Sequence, residues 1–282
     1  MIKFYGYFRS SAAYRCRIAF NLKNIEYDFI PIHLRKDGGQ QNSPEFKKIN
    51  PQSLLPSIED NGFILSQSLA IIEWLDDKYP MPNLLPKDIN LRAQVRAFAQ
   101  SIACEIHPLQ NLRVQNYIKD EFNQDDKKVS NWLKRWLGGG LKECEEIIKK
   151  SKNFDFCFGD QPTIADLCLV PQIFSAQRFN IDLSDMPKLT SIYNNCCQLD
   201  AFQEAHPSTW PDTRCPPSSS PTLRALSKLR LAPIIHVSNF IWVFSTLSAL
   251  ISTSKKLEPV FITVKQIPSQ AIDAPIATVV MS

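Results

Sequence analysis

The first eighty residues alternate short apolar runs with stretches of helical periodicity. Residues 2–5 predict an opening strand, and Ile18, Ala19 and Leu22 share one face of a helix predicted at 13–23. A second strand follows at residues 27–32. Two short strands at 55–58 and 63–65 are joined by a hairpin turn at Asp60-Asn61-Gly62, and a further helix is predicted at 66–79. The predicted order is βαβ followed by ββα.

Strand patterns stop after the prolines at positions 80, 82 and 86, and helical patterns replace them. We predict helices at residues 91–115, 129–150, 163–174 and 187–199. The run Gly138-Gly139-Gly140 predicts a break in the second of these, because glycine costs about 1 kcal/mol relative to alanine in a helix. Thr163 and Asp166 fit a capping box. The chain therefore divides into an α/β unit at 1–82 and an all-helical unit at 88–212.

Residues 213–282 differ from the rest in composition. They begin with a linker-like Cys-Pro-Pro-Ser-Ser-Ser-Pro stretch at 215–221, and residues 231–254 carry no Asp, Glu, Lys or Arg. A bilayer needs about 20 apolar residues, and this run contains Pro233, His236, Asn239 and several hydroxyl side chains. The composition favours a disordered or weakly structured extension, with a membrane anchor as the alternative.

The charge is concentrated in that extension. The formal net charge of the chain is +4, of which residues 213–282 contribute +5, and residues 1–212 carry −1. A body so close to neutrality argues against a nucleic-acid partner. The eight cysteines form no C-x-x-C pair, no histidine spacing indicates a metal site, and the N-terminus has no apolar signal core. We expect reduced thiols and a cytoplasmic protein that binds no metal.

Residues 7–15 read Tyr-Phe-Arg-Ser-Ser-Ala-Ala-Tyr-Arg and cover the turn between the first predicted strand and helix. Ser10 and Ser11 therefore lie at a helix N-terminus, where free N–H groups and the helix dipole bind an anion. That anion is a phosphate, a carboxylate or a thiolate. Plain N-capping by either serine is the alternative interpretation.

Seven stretches between residue 2 and about residue 212 together resemble the zeta class of the glutathione transferases, a class that includes maleylacetoacetate isomerases. They are residues 7–17 (YFRSSAAYRCR), 37–41 (DGGQQ), 50–56 (NPQSLLP), 67–73 (QSLAIIE), 108–112 (PLQNL), 159–171 (GDQPTIADLCLVP) and 201–207 (AFQEAHP). The resemblance implies a thioredoxin-like domain with a mixed four-stranded sheet, then an all-α domain, in a homodimer with glutathione as cofactor. Residues 213–282 have no counterpart in that class.

The resemblance also implies where glutathione binds. Its thiolate would lie at Ser10 or Ser11, its γ-glutamyl carboxylate at Gln67 and Ser68, and its backbone against Leu55, before a cis Pro56. Gln41 would hold the glycine end, and His107, Gln110, Asn111 and Arg113 match positions that line the cleft, some of them across a dimer partner. The predicted catalytic residues are Ser10 and Ser11, and the predicted cofactor-binding set is Ser10, Ser11, Ala12, Ala13, Tyr14, Arg15, Gln41, Leu55, Gln67, Ser68, His107, Asn111, Leu112 and Arg113. The predicted substrate-binding residues, which would hold the carboxylates of a small dicarboxylate, are Arg9, Arg15 and Arg178.

The implied chemistry is cis–trans isomerisation of maleylacetoacetate to fumarylacetoacetate, in tyrosine and phenylalanine catabolism, by reversible addition of the glutathione thiolate. One residue departs from the class, which usually has a cysteine where this chain has Ala12. We therefore expect isomerase activity that is retained but reduced. A glutathione transferase acting on small electrophiles such as α-halo acids is the alternative, and a non-catalytic module that keeps the fold is a third reading.

Overall fold

A four-stranded mixed sheet forms the first layer of the fold, as predicted. The computed structural model describes residues 1–210 and the backbone of 235–237 and 240–242. Its strands are β1 Ile2–Gly6, β2 Tyr27–Pro31, β3 Ser57–Asp60 and β4 Phe63–Ser66. Strand β1 pairs in parallel with β2 and antiparallel with β3, which pairs antiparallel with β4, so the order is β2-β1-β3-β4.

The predicted hairpin between β3 and β4 is present. Asn61 and Gly62 both have positive φ, 50° and 85°, which is the backbone of a two-residue turn that matches the twist of its flanking strands. The turn sets the register that pairs Ile58 with Leu65. Ile58 thereby faces the core, where it is fully buried.

Helix α1 (Ser11–Leu22) lies in the interior of the fold. Every residue from Ser11 to Phe20 is buried, including Arg15 and Arg17. The helix begins two residues before the predicted start, because the Ser10 side chain caps it and accepts a hydrogen bond from the Ala13 N–H at 3.2 Å. It also packs against helices of the second layer, and so joins the sheet to that layer.

Two further helices complete the α/β unit. Helix α2 (Pro44–Ile49) is capped by Ser43, and helix α3 (Ser68–Lys78) follows β4 directly. Helix α3 begins later than the predicted residue 66, since Ser66 belongs to β4 and Gln67 has a φ of 74°, outside the helical region.

The long helix predicted over 91–115 is interrupted, which corrects that prediction. Helix α4 (Ile89–Gln100) continues into a π-helical segment (Ser101–Ile106) and a 3₁₀ turn (His107–Gln110), and a separate helix α5 (Leu112–Asp120) then begins. Pro108 has no N–H to continue the helical ladder. Asn111 caps α5, because its Oδ1 accepts a hydrogen bond from the Arg113 N–H at 3.1 Å.

The glycine run changes the helix without ending it. Helix α6 (Asp126–Leu133) passes through a π-helical segment (Lys134–Gly138) into α7 (Gly139–Lys149), with helical φ and ψ at both Gly138 and Gly139. The predicted break is therefore only a local change of hydrogen-bonding pattern. Gly140 has a packing role, since a Cβ there would lie 2.6 Å from Cγ1 of Ile106.

Helix α8 (Ile164–Arg178) is the central helix of the second layer, with nearly every residue up to Ala176 buried. The predicted capping box is confirmed. Asp166 is fully buried and accepts hydrogen bonds from the backbone N–H groups of Thr163 and Cys157, both at 2.8 Å. The helix extends four residues beyond the predicted end at 174, which brings Arg178 onto it.

The described part of the helical layer ends against the sheet. Helices α9 (Pro187–Cys197) and α10 (Asp200–Ala205) lead to Trp210, whose ring lies 4.7 Å from that of Phe29 on β2. The segment between α3 and α4 contains the predicted boundary between units 1–82 and 88–212, and residues 1–210 belong to one compact unit.

The described residues of the extension form a pair of strands. Two short strands, β5 (Ile235–Val237) and β6 (Phe240–Trp242), pair antiparallel in a second unit. The prediction of disorder over 213–282 and the membrane alternative at 231–254 otherwise fall outside the described residues. Within those residues no helix has the length and apolar character that a membrane span requires.

We predict opposite effects for two neighbouring glycines of α7. Gly139→Ala adds a Cβ into open space and should raise the free energy of unfolding by about 0.5–1 kcal/mol, since it restricts the unfolded chain. Gly140→Ala should lower it by about 1–3 kcal/mol, because Ile106 is buried and must move. Urea denaturation of the two variants measures both values. Equal effects would contradict the packing role of Gly140.

Candidate active site

A cleft of about 370 Å³ opens beside the N-terminus of α1. It is lined from three directions: by the turn before α1, by the loops after β2 and α2, and by the segment that joins α4 to α5. A second cavity of about 560 Å³ shares residues with the first, among them Leu55 and His107, and extends to the start of α3. The two cavities are neighbours, and residues from the start of α1 or the turn before it line each of them.

The two serines at this turn have different environments. Ser10 is half-buried at the cleft, and its Oγ accepts the Ala13 N–H, which leaves the hydroxyl proton free to donate. Ser11 is buried, and its Oγ lies 2.8 Å from Oγ of Ser175 on α8, so one of these hydroxyls donates to the other. Both serines line the cleft, and Ser10 is the more exposed of the two.

Arg15 is almost fully buried between α1 and the start of α3. Its Nη1 donates to Oγ of Ser68 at 3.2 Å, while its Nε and Nη2 are buried without a hydrogen-bond partner. The residue lines the second cavity together with Gln67, which donates from Nε2 to Oε1 of Gln52 at 2.9 Å. Unpaired guanidinium nitrogens at a helix N-terminus are a strong indication of an anionic ligand.

The loop after β2 also carries a buried polar atom without a hydrogen-bond partner. Gln41 lines the cleft, and its Oε1 is buried without a partner. Leu55 lines both cavities, and the bond between Leu55 and Pro56 is cis, as predicted. An oxygen acceptor on one side and guanidinium donors on the other suit a peptide that carries N–H and carboxylate groups. The residues present therefore fit glutathione.

The wall opposite α1 comes from the interrupted helix. His107, Asn111 and Arg113 line both cavities, and Leu112 lines the first. Burial, and to a smaller degree the charge of Arg15, lower the pKa of His107 to about 3. The imidazole is thus neutral at physiological pH and can donate from one nitrogen and accept at the other.

Three guanidinium groups surround the outer end of the cleft. Arg9 lies 4.9 Å from the ring centroid of Phe8, and Arg178 lies 4.4 Å from that of Phe179. Burial, followed by the charges of Arg9 and Arg35, lowers the pKa of Arg178. No aspartate or glutamate is among the described residues that line the cleft. Like charges gathered in this way favour an anionic ligand.

Most predicted site residues meet here, with two exceptions. Ala13 and Tyr14 face the core, where the Tyr14 ring packs edge-on against Phe174, and neither lines a cavity. Ala13 contributes only its backbone, as the donor to Ser10. Ala12 lines the second cavity with its methyl group.

Two residues of the site escaped the sequence analysis. Arg35 follows β2, and its place in the cleft depends on the path of the loop that begins there. Ser175 lies 164 positions from its partner Ser11, and no local pattern relates the two. Across residues 1–210 no group of His, Cys, Asp and Glu side chains is arranged to hold a metal ion.

We predict that His107 does not titrate between pH 5 and 8. Its folded pKa lies below this range, so nitrogen-detected NMR of the imidazole should show the neutral form throughout. Arg15→Met should raise the pKa, because it removes the nearby positive charge, yet leave it below the ordinary value of 6.5, since burial is the larger cause. An imidazolium signal in the wild type above pH 5 would contradict this assignment.

Comparison with known proteins agrees with the geometry. Residues 4–83 match the family described as glutathione S-transferase, N-terminal domain. The probable maleylacetoacetate isomerase of Vibrio cholerae is 41% identical over 208 residues, which are 74% of this chain and 96% of that protein. The maleylacetoacetate isomerase of Rattus norvegicus is 43% identical over 209 residues, covering 74% of this chain and 94% of the relative.

Solved structures give the same result. A bacterial maleylpyruvate isomerase of the zeta class superposes with a TM-score of 0.72 at 40% identity, over 74% of this chain and 99% of that one. A maleylacetoacetate isomerase from Methylobacterium extorquens, solved with bound malonate and glutathione, also has a TM-score of 0.72, at 36% identity, over 74% of this chain and 98% of its own. With its serine turn, its cavities and these relatives, the chain belongs to the zeta class of the glutathione transferases, the family of the maleylacetoacetate isomerases.

Proposed function

We propose that this protein catalyses the glutathione-dependent cis–trans isomerisation of maleylacetoacetate to fumarylacetoacetate, a step of tyrosine and phenylalanine breakdown. The observation that carries the proposal is the position of Ser10, which caps the buried helix α1 at a cleft lined by arginines and by no described acidic residue. Relatives of that name at about 40% identity support it. The substrate is a small dicarboxylate, and the solved relative with malonate carries a dicarboxylate as well.

Glutathione, when bound, supplies a thiolate that adds reversibly to the activated double bond, so that the bond rotates and the cofactor is regenerated. The residues of this chain hold its two ends. Arg15 and Ser68 suit the γ-glutamyl carboxylate, since the guanidinium has two unpaired nitrogens and lies at the N-terminus of α3. Gln41 offers an unpaired oxygen to an N–H group near the glycine end.

Ser10 stabilises the thiolate. Its hydroxyl already accepts from Ala13, which orients the remaining proton, and a hydrogen bond donated to the anion lowers the pKa of a thiol. The N–H groups of Ser11 and Ala12 have no carbonyl acceptor in an earlier turn of α1, because the helix begins there. They add to the positive field at the same point. Ser11 supports this arrangement through its bond to Ser175.

Arg9 and Arg178 hold the carboxylates of the substrate, and Arg35 extends the same positive surface toward solvent. A guanidinium matches the two oxygens of a carboxylate, and the same charge stabilises the enolate that forms when the double bond is attacked. His107 is neutral and can therefore donate a hydrogen bond to an anionic ligand in this cleft.

The competing activity is transfer of glutathione to small electrophiles such as α-halo acids. Ala12 favours it, because a methyl group replaces the cysteine of the class, and one relative, 39% identical, carries the general name of glutathione S-transferase zeta class. The full chain should be assayed with maleylacetone while the concentration of glutathione is followed. Turnover without net loss of glutathione supports the isomerase, whereas loss in step with product supports the transferase.

We also propose that the protein works in the cytoplasm as a homodimer. The cysteines of residues 1–210 are free thiols, which is typical of a reducing compartment. Asn111 and Arg113 line both cavities, and Arg113 is exposed, so that a second copy packed against it would extend the wall. Light scattering at several concentrations, with and without glutathione, tests the dimer.

Replacing Ser10, which caps α1, should reduce catalysis far more than replacing a serine outside this turn. We expect Ser10→Ala to lower kcat by about a hundredfold or more, and to raise the pKa of bound glutathione in an ultraviolet titration of the thiolate, because the half-buried hydroxyl at the N-terminus of α1 is lost. Ser43→Ala is the matched control, because Ser43 caps α2 in the same way and lines neither cavity. It should lower the free energy of unfolding by about 1 kcal/mol and leave the thiol pKa in place. An unaltered thiol pKa in Ser10→Ala would refute the assignment of Ser10.

Removing an arginine of the cleft should affect substrates according to their charge. Arg178→Gln should lower kcat/KM for the dicarboxylate by about 10–100-fold, since a charge-assisted hydrogen bond to a carboxylate contributes about 1.5–3 kcal/mol. Turnover of a neutral electrophile should change much less, because it has no carboxylate to hold. Arg92→Gln serves as the charge-matched control, because Arg92 lies on α4 and lines neither cavity. Equal losses for both substrates would argue against carboxylate binding by Arg178.

A further inference from the structure

Tyr7 is the first residue after strand β1 and lies in the turn that leads to α1. Its side chain is only 5% exposed, yet it lines the first cavity. The ring packs edge-on against the rings of Phe8 and His33, with centroids 4.7 and 5.0 Å away. These contacts fix the ring, so the hydroxyl has a defined place at the cleft.

The hydroxyl of Tyr7 has a hydrogen-bond donor but, among the described residues, no acceptor. Nη2 of Arg9 donates to Oη of Tyr7 at 3.2 Å, while the proton of Tyr7 goes to no oxygen or nitrogen of residues 1–210. No aspartate or glutamate of that part of the chain lines the cavity to take it. A hydroxyl both accepts and donates, so this proton is available to an oxygen of a ligand.

This hydroxyl lies among the groups that would meet the substrate. The Ser10 N–H donates to the carbonyl oxygen of Tyr7 at 3.0 Å, which closes one turn that carries both residues. Burial and then the charges of two neighbouring arginines lower the pKa of Arg178, and Tyr7 acts on it in the opposite direction. The phenol is therefore bonded to Arg9 and within electrostatic reach of Arg178. A substrate held by these two arginines would lie against the Tyr7 hydroxyl.

We propose that Tyr7 is a further catalytic residue, whose hydroxyl donates a hydrogen bond to the substrate oxygen that becomes negatively charged. When the double bond is attacked, an electron pair moves onto the oxygen of the conjugated carbonyl group, and it returns when the double bond forms again. A donor directed at that oxygen stabilises the charged state more than the neutral substrate. The proton stays on Tyr7 in both directions, so no acid or base is consumed. The role rests on the proposed isomerisation, in which this charge develops.

The test is Tyr7→Phe in the full chain, since phenylalanine keeps the ring contacts and removes only the hydroxyl. We expect kcat for maleylacetone to fall about 10–100-fold and KM to change by less than about threefold, because the lost hydrogen bond is stronger in the transition state than in the bound substrate. Tyr5→Phe is the matched control. Tyr5 lies on β1, its hydroxyl donates to Oε2 of Glu59 at 2.8 Å, and it lines neither the first nor the second cavity. Its kcat should equal that of the wild type.

Two binding measurements separate this role from a supporting one. Malonate is a dicarboxylate without an activated double bond, so calorimetry should give the same Kd, within about threefold, for Tyr7→Phe and the wild type. The pKa of bound glutathione in an ultraviolet titration should also stay in place, because Ser10 stabilises the thiolate. Malonate binding that weakens in step with kcat would make Tyr7 only a support for Arg9 and would overturn the inference. A raised thiol pKa would overturn it as well.

A double substitution tests the direct contact with the substrate. Tyr7→Phe should lower kcat in the Arg9→Gln background too, since the hydroxyl acts on the substrate itself, and no further loss in that background would contradict the role. An unchanged kcat in Tyr7→Phe refutes only the role of Tyr7. A wild type that binds glutathione but does not isomerise maleylacetone refutes the proposed function, and the role of Tyr7 with it.

Discussion

The guanidinium of Arg17 is fully buried, and it joins the turn before α1 to helix α10. Its Nε donates to the carbonyl oxygen of Ala205 and its Nη2 to that of Phe8, both at 2.9 Å. The rings of Tyr14 and Trp210 lie against it, with centroids 5.3 and 5.4 Å away. Burial lowers its pKa to about 10, so it still carries its charge at neutral pH. A buried charge costs several kcal/mol unless acceptors surround it, and here the acceptors come from both layers.

The position of the active site follows from this arrangement. Phe8 belongs to the turn that carries the serines, so the bond from Arg17 to its carbonyl fixes the start of α1 with respect to α10. The Ser11–Ser175 bond fixes the same turn to α8. Ser10 is thereby held at the meeting point of the sheet, the helical layer and the loop that carries Gln41. The chemistry depends on a helix terminus whose direction is set by contacts far along the chain.

Local patterns were sufficient for the sheet and for most helices. The alternation of strands and helices, the Asn61-Gly62 turn and the capping box of Thr163 and Asp166 are short-range features, and the structure confirms them. The interruption of the helix at 91–115 was also encoded locally, by Pro108 and the capping Asn111, but the strong apolar periodicity outweighed these signals. Gly140 could not be understood from the sequence, because its reason is the side chain of Ile106 in another helix. The same holds for Arg35 and Ser175, whose place in the site depends on tertiary contacts.

The bond between Arg17 and the carbonyl of Ala205 has a consequence for synthesis on the ribosome. The chain emerges from its N-terminus, and the acceptor for this guanidinium is made 188 residues later. Until α10 has left the exit tunnel, Arg17 lacks one of its two carbonyl acceptors, and β2 lacks the cover of Trp210. The nascent α/β unit therefore remains incomplete during translation, and its final packing waits until residue 210 has emerged.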